Sequence, residues 1–382
     1  MKTLEDMRNE IDEIDEGIVK LFVRRMETSR EVAAAKCETG QPVYDPARER
    51  DILRKVAGEV GPGLENEARL LFTTLFSMSR GCQRSVLAGK SDFMRSLETA
   101  LAGSPASFPS CASVACPGQE GSYSQQAASA IVKFPAIFYF KSFEDVFLAV
   151  EKGMCDYGVL PIENSAVGSV AAVYDLMDRH RFKIVRAHRH RINHVLLAKG
   201  GVKFEDVKEI HSHPHALSQC SEFLLANPVV RAVPATNTAA AAAALAASGR
   251  TDVAVIAARE CAELYGLEVL RENIADVKSN FTRFICISKR DEIYADAGKF
   301  SVMMSLPHRA GVLSDVLVKF ASCGVNLTKL ESRPVPGSDF EFRFIFDFEA
   351  TPHDPRVVRL LAGFAADPEV EHFTFLGAYC EK

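Results

Sequence analysis

The hydrophobic pattern divides the chain into three parts with different periods. In the first part apolar residues recur at every seventh position, as at Leu4, Ile11 and Ile18, and this spacing predicts one long helix. Gly and Pro residues end this helix and a following one, which begins at Asp45-Pro46. The predicted helices cover residues 4–36, 46 to about 59 and 65 to about 87. Residues 1–90 are therefore predicted to form an all-helical domain.

The middle part alternates short apolar runs with helical segments. The predicted strands are 136–140, 157–161, 183–187, 194–198, 209–211, 229–233, 253–256 and 283–288, and the predicted helices include 124–133, 143–152, 215–226 and 238–247. This order is typical of an α/β domain whose helices flank a sheet, with room for two lobes and a cleft. The domain is placed at residues 113–290, after a linker at 91–112 that is partly rich in Ser, Pro and Ala.

The last part, residues 298–382, predicts one compact module. Its strands are expected at 299–306, 326–334, Phe340–Glu349 and 370–379, and its helices at 311–323 and 354–366. The resulting order, β-α-β-β-α-β, is that of a ferredoxin-like α+β fold.

Composition changes this picture little, but it excludes several classes of protein. The chain has 382 residues, a formal net charge of −5 and a pI near 6.1, so it carries no electrostatic signature of a nucleic-acid or membrane partner. The charged N-terminus lacks a signal-peptide core, and the uncharged stretch 232–249 contains Pro and polar residues. Ten scattered cysteines without a Cys-x-x-Cys pair favour reduced thiols over a disulfide framework. Together these features predict a cytoplasmic protein.

The first helix carries basic residues whose positions constrain a binding site. Arg25 and Lys36 are eleven residues apart and lie within about 20° of one another around the helix. Arg8 is about 26 Å from Arg25 along the axis and about 100° around it. One small ligand cannot contact both arginines of one chain, so a shared site needs Arg8 from a second chain. A plain solvated face on a helical hairpin is the alternative.

This helical part resembles the all-helical chorismate mutase domain over about 85 residues. The resemblance rests on Met7-Arg8, Ile11, Ile14-Asp15, Arg24-Arg25, Lys36 and the segment from Pro42 to Arg50. It implies an intertwined homodimer without metal or organic cofactor. It also implies substrate contacts from Arg8, Arg25, Lys36, Asp45, Arg48, Glu49, Ser79 and Gln83.

These residue types suit the chemistry that the resemblance implies. Chorismate has two carboxylates, which planar guanidinium groups bind bidentately. Its rearrangement to prephenate is pericyclic, and its polarised transition state places negative charge on the ether oxygen. Lys36 and Gln83 are expected to be the catalytic residues, because each donates a hydrogen bond that stabilises this charge.

Small polar residues cluster at strand ends and helix starts of the α/β domain. The clusters are Gly121-Ser122-Tyr123-Ser124, Pro161-Ile162-Glu163-Asn164-Ser165, Ser212-His213-Pro214 with Gln219-Cys220, and Asn280-Phe281-Thr282-Arg283-Phe284. They suit a carboxylate-bearing ligand in an interlobe cleft, although each alone is equally an ordinary cap or turn. His211, His213 and His215 invite a metal site, but Pro214 interrupts the strand that would align them. No metal is expected.

With Leu264-Tyr265-Gly266-Leu267, these clusters resemble prephenate dehydratase over about residues 113–290. The resemblance implies a two-lobed fold like that of periplasmic binding proteins. It makes Thr282 the principal catalytic residue, which assists departure of the ring hydroxyl as carbon dioxide leaves. It implies substrate contacts from Ser122, Glu163, Asn164, Ser212, Gln219, Phe281 and Arg283. The sequence departs from the family at His215, where Gln is common, and at Cys116-Pro117-Gly118.

The C-terminal module offers two short motifs. Gly311-Val312-Leu313 opens its first helix, where a glycine permits close backbone approach and a helix start can hold a carboxylate. Glu331-Ser332-Arg333-Pro334 ends its second strand. The two motifs resemble the phenylalanine-binding motifs of the regulatory ACT domain, with Phe340-Glu341 in place of the usual Trp-Glu. A plain tight turn is the alternative at Gly311.

Together, the three resemblances imply a bifunctional enzyme of phenylalanine biosynthesis. It is expected to convert chorismate to prephenate and prephenate to phenylpyruvate, with L-phenylalanine as feedback inhibitor and a homodimer or higher homo-oligomer as the assembly. Two alternatives stay open: a non-catalytic amino-acid sensor, and arogenate in place of prephenate as the dehydratase substrate.

Overall fold

The structure is a computed structural model that describes residues 2–87, 92–335 and 341–382. The chain divides into two compact units, Met1–Thr99 with Met303–Phe373 and Ala100–Val302 with Thr374–Lys382. The predicted helical domain and most of the C-terminal module therefore belong to one unit, and the α/β domain forms the body of the other.

The elements follow one another along the chain as α1 (Leu4–Thr39), α2 (Pro46–Glu59), α3 (Glu65–Leu87), α4 (Asp92–Ala102), β1 (Cys111–Pro117), α5 (Tyr123–Ile131), β2 (Phe134–Phe140), α6 (Phe143–Glu151), β3 (Tyr157–Asn164), β4 (Gly168–Ser169), α7 (Ala171–His180), β5 (Lys183–Arg191), β6 (His194–Lys199), a 3₁₀ helix (Phe204–Asp206), β7 (Glu209–Ser212), α8 (Pro214–Ser218), α9 (Ser221–Leu225), β8 (Arg231–Pro234), α10 (Thr238–Ala247), β9 (Val253–Ala258), α11 (Glu260–Tyr265), β10 (Leu267–Arg271), β11 (Phe281–Ser288), β12 (Lys299–Leu306), α12 (Val312–Ser322), β13 (Asn326–Pro334), β14 (Phe342–Glu349), α13 (Pro355–Ala365) and β15 (Glu371–Glu381).

The first unit contains a group of helices and most of the β-α-β-β-α-β module. Helix α1 begins with a capping box, in which Thr3 and Asp6 each accept from the other's backbone N–H, and it ends at left-handed Gly40. The four strands of the module lie in the order β13-β14-β12-β15, with α12 and α13 as its helices. The predicted ferredoxin-like arrangement is confirmed. Phe340, predicted to open β14, lies outside the described residues.

The second unit contains two sheets. In the first, the strands lie in the order β15-β5-β11-β3-β1-β2, and β11 runs antiparallel to both of its neighbours. The second sheet has the order β10-β6-β9-β7-β8. Its strand β9 is buried along its whole length, and the Ala-rich helix α10 packs against it. The prediction of an α/β domain with two lobes is confirmed at the level of these two sheets.

Strands β1, β4 and β10 are not among the predicted strands. Two further segments differ from the prediction, each for its own physical reason. The predicted linker contains helix α4, whose apolar side chains include the buried Leu97. The predicted helix 215–226 is two short helices, because the Asp276 carboxylate accepts hydrogen bonds from the backbone N–H groups of Ser221 and Glu222. This side chain from a distant loop starts a new helix where local propensity predicted a continuous one.

One glycine allows the C-terminal strand to pair with the first sheet of the second unit. Gly377 in β15 has a φ of 142°, and a Cβ built there would lie 2.3 Å from the Ile184 carbonyl oxygen in β5. No other residue fits this approach without moving one backbone from the other.

We predict that Gly377→Ala lowers the free energy of unfolding by at least about 2 kcal/mol, because the methyl group adds both steric overlap and backbone strain. Urea denaturation followed by circular dichroism measures the change. Gly363→Ala is the matched control, since nothing lies within 4 Å of a Cβ at this helical position. Equal stability of the two variants would contradict the close approach.

Candidate active sites

A cavity of about 530 Å³ lies among α1, α2 and α3, and we call it the helical cavity. Six of the eight residues predicted for the helical site line it: Arg25, Asp45, Arg48, Glu49, Ser79 and Gln83. Its charged lining comprises four arginines and two carboxylates, so the cavity has a formal charge of +2. That charge suits a small ligand with two carboxylates.

Arg25 is held rigidly at the wall of the helical cavity. Its Nη1 donates to the Leu75 carbonyl oxygen at 3.0 Å and to the Ser79 hydroxyl, and its guanidinium lies 5.8 Å from the Phe76 ring centroid. Burial lowers the pKa of Arg25, and the charge of Glu49 opposes that shift. The ordinary pKa is so high that the residue stays a cation ready for a carboxylate.

Asp45 and Gln83 contribute differently to the helical cavity. Asp45 is the N-cap of α2 and accepts from the Arg48 backbone N–H at 3.0 Å, so it has a structural role whatever it binds. Gln83 is buried, and its Oε1 has no hydrogen-bond partner among the described residues. A buried amide with an unused polar atom at a cavity wall indicates a place where a polar ligand binds.

The other two predicted residues do not line the cavity of this one chain. Lys36, in the last turn of α1, donates from Nζ to the carbonyl oxygens of Pro42 and Val43, each at 2.8 Å. Val43 itself lines the cavity, so the ammonium group is held at its border. Arg8 lies exposed near the start of α1.

An apolar face of α1 is exposed in the single chain. It includes Leu4, Ile11, Ile14, Ile18 and Leu21, which are between 56% and 68% exposed. Three of these residues carry the heptad spacing from which the helix was predicted. A long apolar face on a folded protein marks an interaction surface.

The second candidate site lies where β11 pairs with β3 and β5. Thr282 is the register partner of Asn164 on one side and of His190 on the other. Asn164 Nδ2 donates to the Thr282 hydroxyl oxygen at 2.8 Å. Two predicted residues more than a hundred positions apart are thus in direct contact.

A chain of hydrogen bonds, which we call the amide network, runs from Asn164 across to the second sheet. Asn164 Oδ1 accepts from the backbone N–H groups of Ala166 and Val167 at 2.9 and 3.1 Å, so its NH₂ must face the other way. That NH₂ donates to Asn280 Oδ1 at 2.8 Å, and Asn280 Nδ2 donates to Gln219 Oε1 at 3.1 Å. Two backbone groups therefore fix the direction of every amide in the chain.

The amide network ends at His194 and Tyr123. Gln219 Oε1 already accepts from Asn280, so His194 Nε2, 3.0 Å away, must be the protonated nitrogen that donates to it. His194 Nδ1 lies 3.1 Å from the Tyr123 hydroxyl, which also lies 2.9 Å from the Asn193 carbonyl oxygen. Burial lowers the pKa of His194, while its bond to Gln219 opposes the shift. The site is consequently built from neutral groups near pH 7.

The structure places the remaining predicted residues of this domain in other roles. The Ser122 hydroxyl caps α5 by accepting from the Gln125 N–H, and the buried Ser212 hydroxyl donates to the Ile256 carbonyl oxygen. Phe281 donates its backbone N–H to the Ser165 hydroxyl at 2.9 Å. These contacts order the loops beside Thr282 and Gln219.

Arg283 and Glu163 lie beside the site on its own strands but contact other partners. Arg283 is buried, and its guanidinium contacts the Glu381 carboxylate at 2.6 Å and the Tyr379 hydroxyl, both on β15. The Glu163 carboxylate lies 3.7 Å from Arg283. Successive residues of a strand face opposite sides, so Arg283 lies on the face away from Thr282.

The motif around Gly121 ties the two sheets of the second unit together. Gly121 has a φ of 85°, and a Cβ there would lie 2.9 Å from Cys261 Sγ. The Tyr265 hydroxyl donates to the Glu120 carbonyl oxygen at 2.7 Å. The glycine of one motif and the tyrosine of another, separate in the sequence, therefore meet beside α5.

The histidine and cysteine residues form no metal site in the described part of the chain. His211 contacts Glu209 at 3.0 Å, and the rings of His213 and His215 stack on each other. Cys116, Cys220 and Cys286 are buried thiols whose pKa values are raised by burial. Among the residues described, no helix has the length and apolar character needed to span a bilayer.

In the C-terminal module, Gly311 is the N-cap of α12 with a φ of 88°, and a Cβ there would meet nothing within 4 Å. Val312 is buried and Leu313 is half-buried. Glu331, Ser332, Arg333 and Pro334 end β13, which lies at the edge of the sheet order. An edge strand is open to pairing with another strand.

Sequence reasoning missed His194, Asn280 and Arg80. His194 is a single polar residue at the start of the apolar run of β6, a signal that the pattern did contain. Asn280 stands within a quoted motif, yet its role depends on reaching Gln219, 61 residues away. Arg80 follows Ser79 on α3 and lines the helical cavity beside Glu49.

Comparison with known proteins matches the two parts of the chain that contain the candidate sites to one enzyme family. A family model described as chorismate mutase type II matches residues 7–84, and one described as prephenate dehydratase matches residues 114–292. The chain is 31% identical over 350 residues to the bifunctional chorismate mutase/prephenate dehydratase of Escherichia coli strain K12, covering 90% of this chain and 88% of that protein.

Two further relatives each match about two thirds of the chain. Arogenate dehydratase/prephenate dehydratase 1 of Arabidopsis thaliana is 40% identical over 260 residues, 64% of this chain and 66% of that protein. The crystal structure of prephenate dehydratase from Arthrobacter aurescens in complex with L-Phe superimposes with a TM-score of 0.63 and 32% identity, covering 70% of this chain and 89% of that one.

Proposed function

This chain belongs to the family of bifunctional chorismate mutase/prephenate dehydratases, and we propose how its residues divide the two reactions between the helical cavity and the amide network. The enzyme converts chorismate to prephenate and prephenate to phenylpyruvate. Membership in this enzyme family removes the alternative of a non-catalytic sensor. The observation that carries the division of roles is the direct contact of Asn164 with Thr282, far in sequence from the cationic cavity of α1 to α3.

In the mutase reaction, the protein binds a dianion and stabilises a polarised transition state. Arg25 and Arg48 bind carboxylates of chorismate, and Glu49 accepts from its hydroxyl. Lys36 and Gln83 donate to the ether oxygen as the carbon–oxygen bond breaks. No acid or base is required, so catalysis consists of holding the reactive conformer and placing these donors.

The mutase site is completed by a second copy of the chain. The exposed apolar face of α1 supplies an interface for that copy, and Arg8 at the far end of this helix then reaches the partner's cavity. Arg8 of the second copy thereby adds one more cation to a cavity whose formal charge is +2, and this cation binds the second carboxylate of the substrate. Dimerisation is thus a condition for mutase activity.

In the dehydratase reaction, prephenate loses its ring carboxylate as carbon dioxide and its ring hydroxyl departs. The electron pair of the broken carbon–carbon bond enters the ring, which becomes aromatic. Asn164 donates to the Thr282 oxygen, so the proton of Thr282 is left to donate to the departing hydroxyl. The Ala166 and Val167 backbone groups orient Asn164 for this donation, and Asn280, Gln219 and His194 continue the network beyond it.

Arogenate is a second candidate substrate for the same site. It is favoured by the 40% identity to a plant protein whose name includes both dehydratase activities. The reactive ring is the same in both molecules, and they differ in the side chain. The ratio of kcat/KM for prephenate to that for arogenate distinguishes them.

We place the regulatory ligand, L-phenylalanine, at the turn before α12. The unobstructed glycine turn at Gly311 and the helix start suit a carboxylate, and Glu331 to Pro334 at the sheet edge supply a second wall from a partner copy. The Arthrobacter relative, crystallised with L-Phe, supports this ligand.

The cellular location is not tested by the structure or the comparisons, and a cytoplasmic location stays a prediction.

We predict that the two activities can be lost separately. Lys36→Ala is expected to lower mutase kcat at least about 100-fold by removing a transition-state donor, with dehydratase turnover of supplied prephenate kept. Thr282→Val, which replaces a hydroxyl by a methyl group of similar shape, is expected to lower dehydratase kcat about 100- to 10,000-fold, with the mutase kept. Separate assays with chorismate and prephenate measure both effects. Parallel loss of both activities in either folded variant would contradict two independent sites.

We predict complementation between two inactive mutase variants. Arg8→Ala and Lys36→Ala are each expected to lack mutase activity, while a mixed dimer has one cavity with both native residues. Mixing after verified subunit exchange should restore roughly a quarter to a half of wild-type mutase activity. Absence of recovery would reject the contribution of Arg8 from a partner.

We predict that Gly311→Val weakens inhibition of the dehydratase by phenylalanine at least about tenfold, equivalent to 1.4 kcal/mol. Gly311→Asn separates ligand exclusion from backbone strain, because Asn adopts positive φ readily. Inhibition curves at fixed prephenate measure both variants against wild type. Superimposable curves, or a wild type indifferent to millimolar phenylalanine, would exclude this turn as the sensor.

A further inference from the structure

Arg80 lies between two carboxylates that belong to different parts of the first unit. Its Nη1 donates to Glu49 Oε1 at 2.6 Å and to Oε2 at 2.7 Å. Its Nη2 lies 3.6 Å from Oδ2 of Asp315 in α12. One guanidinium therefore joins the mutase cavity to the C-terminal module.

The surroundings of Arg80 hold its guanidinium in place. The side chain is 8% exposed, and its guanidinium carbon lies 5.2 Å from the Tyr44 ring centroid. It lines the helical cavity on one side and a small cleft that includes Asp315 on the other. Arg80 is thus a fixed charge at the wall of the mutase site rather than a mobile surface residue.

Glu49 needs such a partner because of the ligand that its cavity binds. A carboxylate without a counter-charge repels a substrate with two negative charges, yet an acceptor oxygen at this position is needed for the substrate's hydroxyl. Arg80 contacts both oxygens of Glu49, so it cancels the charge and fixes the plane of the acceptor. The ion pair thereby permits an acidic residue in an anion-binding cavity.

Asp315 connects this ion pair to the predicted phenylalanine turn. It lies in the first turn of α12, and its backbone N–H donates to the Gly311 carbonyl oxygen at 2.9 Å. Arg309 and Lys319 belong to the same module and pair with Glu369 and Asp367, respectively. Both cations also act on Asp315, but of the three only Arg80 lines the mutase cavity, so Asp315 acts on that cavity through Arg80.

We propose that Arg80 is a positioning residue of the mutase reaction, which holds Glu49 ready for the substrate and transmits the charge of Asp315 to the cavity. The proposal rests on the mutase site described above. It adds a residue that acts through Glu49 and a route by which the C-terminal module sets the affinity of the mutase for chorismate.

The first test compares three variants of the full-length enzyme. Arg80→Met is expected to raise KM for chorismate at least about tenfold, with kcat changed less than about threefold, since the loss is one of charge compensation in binding. Arg80→Lys keeps the charge and is expected to give an intermediate KM. Arg84→Met is the matched control, because Arg84 is equally buried on α3 and pairs with Asp367, but does not line the cavity.

The outcomes of this test separate the possible failures. An equal rise in KM for Arg84→Met, or identical values for Arg80→Lys and Arg80→Met, would overturn the proposal. Far-UV circular dichroism and urea denaturation report on folding of the helical part in every variant, because dehydratase turnover reports only on the other unit. A wild-type enzyme without mutase activity would overturn the proposed function itself, which is a different result.

A double-mutant cycle distinguishes positioning from direct substrate contact. A glutamine at position 49 carries no charge and needs no counter-charge. In the Arg80→Met background, Glu49→Gln is therefore expected to lower KM for chorismate part of the way back to the wild-type value. If Arg80 bound chorismate directly, the two substitutions would multiply. Multiplicative effects would overturn the positioning role.

A second cycle tests the route from α12. Asp315→Asn removes the negative charge that partly offsets the charge of Arg80, so Arg80 attracts the substrate dianion more strongly. The substitution is expected to lower mutase KM at least about twofold in the wild type and to have no effect on KM in the Arg80→Met background. Uninhibited dehydratase activity should be the same in all four proteins. A change in KM that persists without Arg80, or no change in the wild type, would overturn the link to the module.

Discussion

The antiparallel pairing of β11 with β3 determines the geometry of the proposed dehydratase site. This register brings Asn164 opposite Thr282, and the turn after β3 presents two backbone N–H groups to the Asn164 side-chain oxygen. The orientations of Asn280 and Gln219 depend on these contacts, because each amide in the network has one donor end and one acceptor end. A slip of one residue in this register would move Thr282 to the other face of the sheet and leave Asn164 without its partner.

The helical part is governed by charge and by an unsatisfied apolar face. Its cavity collects cations that would repel one another without Glu49 and Asp45, and Glu49 in turn depends on Arg80. The heptad pattern gives α1 an apolar face that the rest of its own chain does not bury, so Ile11 and Ile18 remain exposed. Both features favour a dimer, since a second copy would cover the apolar face and add a cation to the cavity.

The parts of the fold that depend on local pattern could be predicted, and those set by distant contacts could not. The heptad predicted α1, and the Asp45-Pro46 cap placed the start of α2 correctly. The break between α8 and α9 escaped prediction because Asp276, which causes it, lies 54 residues beyond Glu222. Composition likewise hid α4, whose apolar residues stand among the small and polar residues of a predicted linker.

The candidate sites show the same limit at the level of single residues. Motifs located Thr282, Asn164 and Gln219, but no local pattern indicates that Asn280 joins them or that His194 closes the network. Spacing on α3 could have identified Arg80, which is three residues before Gln83 and so shares its face of the helix. Spacing could not reveal the carboxylate on α12 that Arg80 also approaches.

In the proposed division of roles, the two candidate sites differ in charge because the groups that leave during the two reactions differ. The mutase substrate and product carry the same two carboxylates, so fixed cations can bind both and still favour the polarised transition state between them. The dehydratase must release carbon dioxide and a hydroxyl group. A strong base near that hydroxyl would compete for the proton that assists its departure, and burial holds His194 neutral. In the proposed mechanism a network of amides directs one hydroxyl proton without adding a charge, which is the physical reason that one chain uses arginines at one candidate site and asparagines at the other.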